Sequence, residues 1–303
     1  QNERFRLMIV HIGFHKTATT WLQDSIFPFI KDVNYLGISS QIKKEKSWVY
    51  SLRRELPQKI DITGIKQKIS RLEKDTTVLL SDERFSGSML TGQGAIDYAD
   101  RIRKISKNIK VIICIRNQVD MWESIYRQHI KEGGCHTFKE FYEEEGCGSD
   151  FFYLGNLEYS NLVSYYIKLL GRENVLVVPY EMLVINKKKF LKQIMDFIGS
   201  KDTDIYSYIE QKRNNKSIGY YETNVLRILN VFMKIGVRPR PGYLFNSRYM
   251  KWLLQKISIS SKKKFVRHYL KDLEQRYFAD NIKLDKLLPE LNLNDYGYMR
   301  HET

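Results

Sequence analysis

The chain has 303 residues, and its 50 lysine and arginine residues outnumber 35 aspartate and glutamate residues, giving a formal net charge of +15. Hydrophobic residues make up 43% of the sequence and aromatic residues 13%, which excludes the disordered class and allows a buried core. The positive surplus predicts an anionic partner, either a polyanion, an acidic lipid surface or a small anion. Three cysteines without a CxxC pair and six histidines without HExxH argue against a disulfide scaffold or a metal site.

No stretch of the sequence approaches the about 20 apolar residues that a membrane-spanning helix needs. The apolar run near residue 10 is short and is soon followed by charge, unlike a secretory signal peptide. We therefore expect a cytoplasmic location, with the inner face of a membrane as the alternative. Residue 1 is not methionine, so removal of a preceding segment stays open.

The first two-thirds of the chain alternate short β-branched runs with helical patterns. They predict strands over 7–12, 33–38, 77–81, 110–115 and 174–178, and helices over 17–30, 47–74 with a break at 57–64, 95–107, 118–131, 137–145, 157–170 and 187–198. This alternation predicts an α/β fold, a P-loop-like three-layer arrangement with helices on both faces of a parallel sheet. We expect residues 1–202 to form the core and the basic, mostly helical residues 203–303 to pack on it, within the same domain or beside it.

The first candidate site follows the first predicted strand, because ligands of such sheets bind at the carboxyl ends of the strands. Gly13 permits a tight turn there, and the start of the next helix leaves backbone N–H groups unpaired for an anion. Lys16 adds a positive charge, and Thr17, Thr19 and Thr20 add hydroxyl groups. One threonine would suffice as a helix cap, so three around a lysine favour a phosphate site.

The second candidate site pairs Arg116, at the end of the cleanest predicted strand, with Ser124 eight residues later on the next helix. An arginine can grip a phosphate with two parallel hydrogen bonds, and a serine can add a third. Each residue alone has an ordinary interpretation, a surface ion pair or a solvent-facing serine. Together on a strand–loop–helix frame they indicate a second phosphate site.

The segment 15–22 (HKTATTWL) resembles the 5′-phosphosulfate loop of sulfotransferases that use 3′-phosphoadenosine 5′-phosphosulfate (PAPS), a loop of the form PK-x-G/A-T-T-x-L. His15 stands where the family commonly has proline or arginine, and Ala18 where it commonly has glycine. Arg116 with Ser124 resembles the 3′-phosphate site of the same family. The resemblance is to the carbohydrate and bacterial branch.

The resemblance extends through residues 174–183 (NVLVVPYEML), which look like the family's later strand, and it thins out after about residue 200. It implies that PAPS is the co-substrate and PAP the product, with no metal ion needed. It places the phosphosulfate on residues 14–20 and the 3′-phosphate on Arg116 and Ser124. Trp21 is then a candidate for packing near the adenine, or alternatively a core side chain of the first helix.

The resemblance also implies catalytic roles in an in-line displacement at sulfur. Lys16 would stabilise the charge on the departing phosphate, and a base would take the proton of the acceptor. Glu83, after the strand 77–81, is the first candidate for the base, with His15 and Asp82 as alternatives. Asp82 could instead cap the following turn, and Arg84 could simply neutralise Glu83.

The last third of the chain suggests how the site closes and what binds it. In the basic loop 211–219, Lys212, Arg213 and Asn215 could close over the nucleotide, or the loop could be a solvated linker. Basic and aromatic residues interleave over 234–267, as suits sugars, polyanions or an acidic membrane face, or simply an ordinary helical face with its aromatic side in the core. We expect a glycan or glycolipid acceptor, no nucleic acid partner and an open oligomeric state.

Two other interpretations remain from the sequence. A P-loop kinase or phosphotransferase would need a glycine directly before Lys16 and an aspartate after a strand to hold Mg²⁺, but the strand 110–115 is followed by Arg116. A non-catalytic polyanion binder would account for the charge but leaves both phosphate motifs without a purpose.

Overall fold

The computed structural model describes residues 7–37, 49, 51–52, 59–72, 76–143, 154–209, 218–236 and 263–299. They belong to two compact units, the first drawn from 1–117, 155–214 and 279–299 and the second from 118–154 and 215–278. Neither unit is one continuous stretch of chain, and the division that the sequence predicts at residue 202 stays a prediction.

A parallel sheet in the first unit confirms the predicted fold class and the predicted strands. Its strands are β1 (Met8–His11), β2 (Val33–Gly37), β3 (Thr77–Ser81), β4 (Ile109–Ile115) and β5 (Val175–Pro179). The order across the sheet is β2-β3-β1-β4-β5, with every neighbouring pair parallel. Every residue of β1 is buried, as expected for a continuous apolar strand in the centre of a covered sheet.

Ten α-helices that lie wholly within the described part of the chain flank or follow these strands. They are α1 (Thr19–Ser25), α2 (Ile62–Leu72), α3 (Ala95–Ile105), α4 (Gln118–Lys131), α5 (Phe138–Glu143), α6 (Tyr159–Leu170), α7 (Tyr180–Ile185), α8 (Lys187–Ile198), α9 (Tyr220–Gly236) and α10 (Leu270–Leu287). The helices predicted near 95–107, 118–131, 157–170 and 187–198 are confirmed within two residues at each end.

Two helix predictions differ from the structure for local reasons. The helix predicted over 17–30 ends at Ser25, and Pro28 lies in a separate 3₁₀ turn, since proline cannot donate the next helical hydrogen bond. The break predicted at 57–64 ends at Asp61, because α2 begins at Ile62. Residues 47–48, 50, 53–58, 73–74 and 144–145 of the predicted helices lie outside the described residues.

The second unit has an aromatic core of its own. Trp122 and Tyr126 of α4 are almost fully buried and make edge and tilted contacts with Phe138 and Phe141. The carboxylate of Glu123, also on α4, accepts hydrogen bonds from the backbone N–H of Phe265 at 2.9 Å. These contacts bury the inner face of α4.

Across both units, no helix in the described segments is long and apolar enough to cross a membrane.

Candidate active site

The loop after β1 holds an unusual backbone conformation between the strand and α1. The chain first continues beside β4, with the N–H of Phe14 donating to the carbonyl of Cys114 at 2.9 Å. Lys16 and Ala18 then take left-handed conformations, with φ of 66° and 64°. Thr17 Oγ1 donates to the carbonyl of Phe14 at 2.5 Å, which closes the curve of the loop.

The helix that follows this loop begins without a side-chain cap. Ala18 is its N-cap residue, and alanine has no oxygen to accept the N–H groups of the first turn. The first helical hydrogen bond runs from the N–H of Leu22 to the carbonyl of Ala18 at 3.1 Å, so the N–H groups of residues 19–21 have no partner within the helix. The loop residues and these N–H groups can therefore receive an anion together.

Gly13 is required here by close packing rather than by the tight turn that the sequence suggests. A Cβ atom at this position would lie 2.9 Å from His11 Nε2, 3.0 Å from Cys114 Cβ and 3.1 Å from Thr19 Cγ2. All three distances are shorter than ordinary contacts, and φ of Gly13 is not positive. The absence of a side chain thus lets the loop lie directly on the strand end.

A polar group lies beneath this loop in the interior of the sheet, and sequence reasoning did not identify it. The imidazole of His11 is fully buried, with Nδ1 2.8 Å from Ser81 Oγ and Nε2 3.4 Å from Cys114 Sγ. Burial lowers the pKa of His11 to about 4, although the charge of Glu83 acts in the opposite direction. Its position at the end of β1 was the available signal, since strand ends in such sheets face the ligand.

Glu83 follows β3 at the rim of the site, and it contacts the loop that follows the neighbouring strand β1. One carboxylate oxygen is 3.3 Å from His15 Nδ1, and the other accepts a hydrogen bond from Thr19 Oγ1. Burial alone would raise the pKa of Glu83, but the interactions with His15 and Thr19 and the charge of Arg84 lower it to about 2. Glu83 is therefore ionised at neutral pH.

His15 Nε2, the second ring nitrogen of the same imidazole, is buried and has no hydrogen-bond partner in the part of the chain that the structure describes. Asp82 has a different role from its neighbour Glu83, because its side chain accepts the N–H of Arg84 at 3.0 Å and caps the short 3₁₀ turn. This is the capping alternative that the sequence offered for Asp82.

Arg116, which directly follows β4, contacts the loop after β1. Its Nη1 donates to the carbonyl oxygen of Lys16 at 3.2 Å, and its guanidinium carbon lies 4.7 Å from the centre of the Tyr180 ring. The Nε atom is buried and has no hydrogen-bond partner among the described residues. The carbonyl of Arg116 accepts the hydroxyl of Tyr159 at 2.7 Å, which holds the strand end in place.

The turn after Arg116 is held by Glu181, a residue to which sequence reasoning assigned no function. Its carboxylate accepts the backbone N–H of Asn117 at 3.0 Å and the hydroxyl of Tyr298 at 3.1 Å. Burial raises the pKa of Glu181, while the N–H of Asn117 lowers it. Glu181 follows β5 at the same edge of the sheet, so the rule that directed attention to the other strand ends could have found it.

The other predicted site residues differ in their exposure and in whether the structure describes them. Thr20 is exposed and Trp21 is half-buried, so packing of Trp21 on an adenine stays a prediction. Ser124 is half-buried on α4, which belongs to the second unit, and its pairing with Arg116 stays a prediction. Arg213, Lys212 and Asn215 lie outside the described residues. No cluster of three histidine, cysteine or acidic side chains within the described ranges is arranged to hold a metal ion.

Comparison with known proteins gives the family of this chain. A family profile described as a sulfotransferase domain matches residues 8–231. The structure is similar to that of a sulfotransferase from Alicyclobacillus acidocaldarius, with a TM-score of 0.53 and 15% identity over 97% of this chain and 98% of that chain, which shows a shared fold. Mouse sulfotransferase SULT7A1 complexed with PAP aligns with a TM-score of 0.40 and 16% identity over 84% of this chain and 89% of that chain. No curated protein sequence matches significantly. Because the profile covers more than half of its length, this chain belongs to the sulfotransferase domain family.

Proposed function

We propose that this sulfotransferase moves a sulfuryl group from PAPS to a hydroxyl or amine of a carbohydrate or glycolipid acceptor, without a metal ion. The observation that carries the proposal is the hydrogen bond from Arg116 to the carbonyl of Lys16, at 3.2 Å. It holds the guanidinium of Arg116 against the backbone of the loop that carries Lys16, at one edge of the sheet. A lysine and an arginine on adjoining segments of this edge suit a ligand with two separate phosphate groups, as PAPS has.

The nucleotide would bind with its 5′-phosphosulfate on the loop after β1. The hydroxyl groups of Thr17 and Thr19 already donate to protein oxygens, those of Phe14 and Glu83. The backbone N–H groups at the start of α1, the hydroxyl of Thr20 and the ammonium of Lys16 are therefore the better donors to the phosphosulfate. The geometry of the loop supports this assignment of hydrogen-bond donors, which the sequence motif alone did not suggest.

The 3′-phosphate would bind the guanidinium of Arg116. Its buried Nε lacks a partner among the described residues, and a phosphate oxygen would supply one. Tyr180 lies against the guanidinium and Tyr159 holds the carbonyl of the same residue, so Arg116 is positioned before the ligand arrives. Ser124 would add a hydroxyl, Trp21 would pack near the adenine, and Arg213 would close the site.

The chemical step would be an in-line displacement at sulfur. The acceptor oxygen forms a bond to sulfur and loses its proton, while the bond between sulfur and the phosphate oxygen breaks and PAP leaves with the electron pair. The charge that develops on the leaving oxygen would be stabilised by Lys16. The proton of the acceptor needs a base within hydrogen-bonding reach.

We propose that this base is His15 and that Glu83 positions it. A carboxylate with a pKa of about 2 is a weak proton acceptor, and both oxygens of Glu83 already contact Thr19 or His15. If Nδ1 of His15 carries its proton toward Glu83, then Nε2 holds a lone pair and can accept one. The alternative from the sequence, Glu83 as the base itself, predicts a different set of mutant activities.

The proposed function is tested by sulfuryl transfer from ³⁵S-labelled PAPS to desulfated glycans, glycolipids and simple phenols, with and without EDTA. We expect label on a glycan or glycolipid, and equal rates in both conditions. Label on a phenol alone would contradict the acceptor class, and loss of transfer in EDTA would contradict the metal-free step. Transfer of phosphate from ATP with Mg²⁺ in place of sulfuryl transfer would contradict the whole proposal.

A further inference from the structure

Two aliphatic side chains at the end of α7 are exposed to an unusual degree. Val184 and Ile185 are 66% and 70% exposed, whereas Met182 and Leu183 on the same helix are 2% and 4% exposed. The buried pair already packs α7 onto the first unit. Folding therefore does not use Val184 and Ile185, and adjacent exposed aliphatic residues of this size are typical of contact surfaces.

Three consecutive lysines follow these aliphatic residues and begin α8. Lys187, Lys188 and Lys189 occupy the first turn of the helix, which contains no acidic residue. Cations are unfavourable at this end, since the helix dipole places a partial positive charge there. Lys192, in the next turn, pairs with Asp196 at 2.6 Å, while the structure pairs none of the first three with a described carboxylate.

The lysines are not needed to start the helix, because Asn186 caps it by accepting the N–H of Lys189 at 2.9 Å. The placement thus works against local helix stability, which suggests that the charges serve a partner outside the folded chain. We name Val184, Ile185, Lys187, Lys188 and Lys189 the lysine–aliphatic patch.

The patch lies at the edge of the sheet that carries the candidate active site. The α7 helix starts directly after β5, and Tyr180, its first residue, contacts the guanidinium of Arg116. Six helical residues advance the chain by only about 9 Å. The α8 helix then runs back, and residues after its far end bind Asp32, just before β2, through the N–H of Lys201 at 2.9 Å. The start of α8 is therefore on the active-site edge.

We propose that the lysine–aliphatic patch docks the protein on an anionic lipid bilayer, so that the active-site edge faces the membrane surface. Lysines near an anionic surface are attracted to lipid headgroups, while aliphatic side chains enter the boundary between headgroups and acyl chains. A soluble polyanion would bind the lysines but leave Val184 and Ile185 in water. This inference rests on the proposed function and deepens it, because it implies that the acceptor is presented at a membrane, as a glycolipid is.

The test is sedimentation of the full chain with vesicles of phosphatidylcholine alone or with 30% phosphatidylglycerol. We expect binding to the anionic vesicles only. The combined Lys187→Gln, Lys188→Gln and Lys189→Gln substitutions should weaken it at least about tenfold, given the attraction of each lysine to an anionic surface. The Val184→Ser and Ile185→Ser pair should also weaken it by about tenfold, since two aliphatic side chains no longer leave water.

Matched controls separate the patch from the general positive charge. Lys66, Lys68 and Lys104 are exposed lysines on other helices, and Ile96 is an exposed aliphatic residue, 45% accessible. Their substitution by glutamine and serine should leave vesicle binding within about twofold. An equal loss from the control lysines, or no loss from the patch variants, would overturn the proposal, as would absence of binding by the intact protein.

Binding of PAP to the same variants distinguishes this inference from the proposed function. We expect both patch variants to bind PAP as the intact protein does, because the patch does not include Lys16 or Arg116. A protein that binds PAP but not anionic vesicles would keep the proposed function and reject the membrane docking. A protein that binds vesicles through the patch but does not bind PAP would reject the proposed function and keep the docking surface.

Discussion

His15 Nδ1 lies 3.3 Å from Glu83 Oε1, and the other carboxylate oxygen of Glu83 accepts the hydroxyl of Thr19. Two residues that the sequence offered as competing candidates for the base are thus in direct contact. A carboxylate beside an imidazole can fix its orientation and favour the tautomer with a lone pair on the far nitrogen. The contact therefore turns two alternatives into one arrangement with separable roles.

Replacing His15 by alanine should reduce kcat by about 10²- to 10⁴-fold, because the proton acceptor is removed. Added imidazole should restore part of this activity, as it can enter the space that the side chain vacates. Glu83→Gln should reduce kcat less, and imidazole should not restore it. Both variants should retain PAP binding, measured by isothermal titration, since neither residue is proposed to hold the nucleotide.

The opposite pattern would assign the base to Glu83. The proposed roles would be contradicted if Glu83→Gln lost more kcat than His15→Ala did, and if imidazole did not rescue the His15→Ala variant.

Substituting Ala18 by glycine should raise the free energy of unfolding by up to about 1 kcal/mol. Ala18 has a φ of 64°, and a left-handed alanine costs about 1–2 kcal/mol, partly offset by the greater freedom of glycine in the unfolded chain. Ala279, exposed within α10, is the control, because glycine there should cost about 1 kcal/mol. Urea unfolding of both variants measures the difference, and a loss of stability in Ala18→Gly equal to the control would contradict the strained loop.

The buried imidazole of His11 should make the protein lose stability in mild acid. Its pKa is lowered by burial to about 4, from 6.5 in an unfolded chain, so the unfolded state binds the proton first. The stabilising contribution is complete above pH 6.5, falls as pH decreases toward 4 and amounts to about 3 kcal/mol in total. A His11→Gln variant should be less stable at pH 7 but should lose about 3 kcal/mol less between pH 7 and 4, by urea unfolding at each pH. Parallel losses in both proteins would contradict this origin.

Much of the fold was predictable because the apolar strands are short, continuous and separated by clear helical periods. The segments at 77–81 and 110–115 appear in the structure as β3 and β4 with at most one residue of difference. Helix α7 was not predicted, since six residues are too few to show a helical period. Helix α1 ends at Ser25 because Pro28 cannot donate a backbone hydrogen bond, and the hydrophobic periodicity of the sequence does not reveal this effect.

The site was predictable as a set of strand ends but not as a set of contacts. The rule that ligands bind at the carboxyl ends of parallel strands selected the regions of Lys16, Glu83 and Arg116. The contact of His15 with Glu83 depends on β1 and β3 being neighbours, which the order of elements along the chain does not determine. The buried position of His11 follows from the same strand order, and its place at the end of β1 was the one signal in the sequence that pointed to it.

The most direct test of the account is isothermal titration of PAP, without metal, into the intact protein and into Lys16→Ala and Arg116→Ala variants. Each variant should lose about 2 kcal/mol or more of binding free energy, roughly 30-fold in Kd, as expected for a lost charged hydrogen bond. Alanine at Lys66 and at Arg103, which are exposed on other helices, should leave the affinity unchanged. Absence of PAP binding by the intact protein, or equal affinity in all variants, would contradict a nucleotide site formed by Lys16 and Arg116.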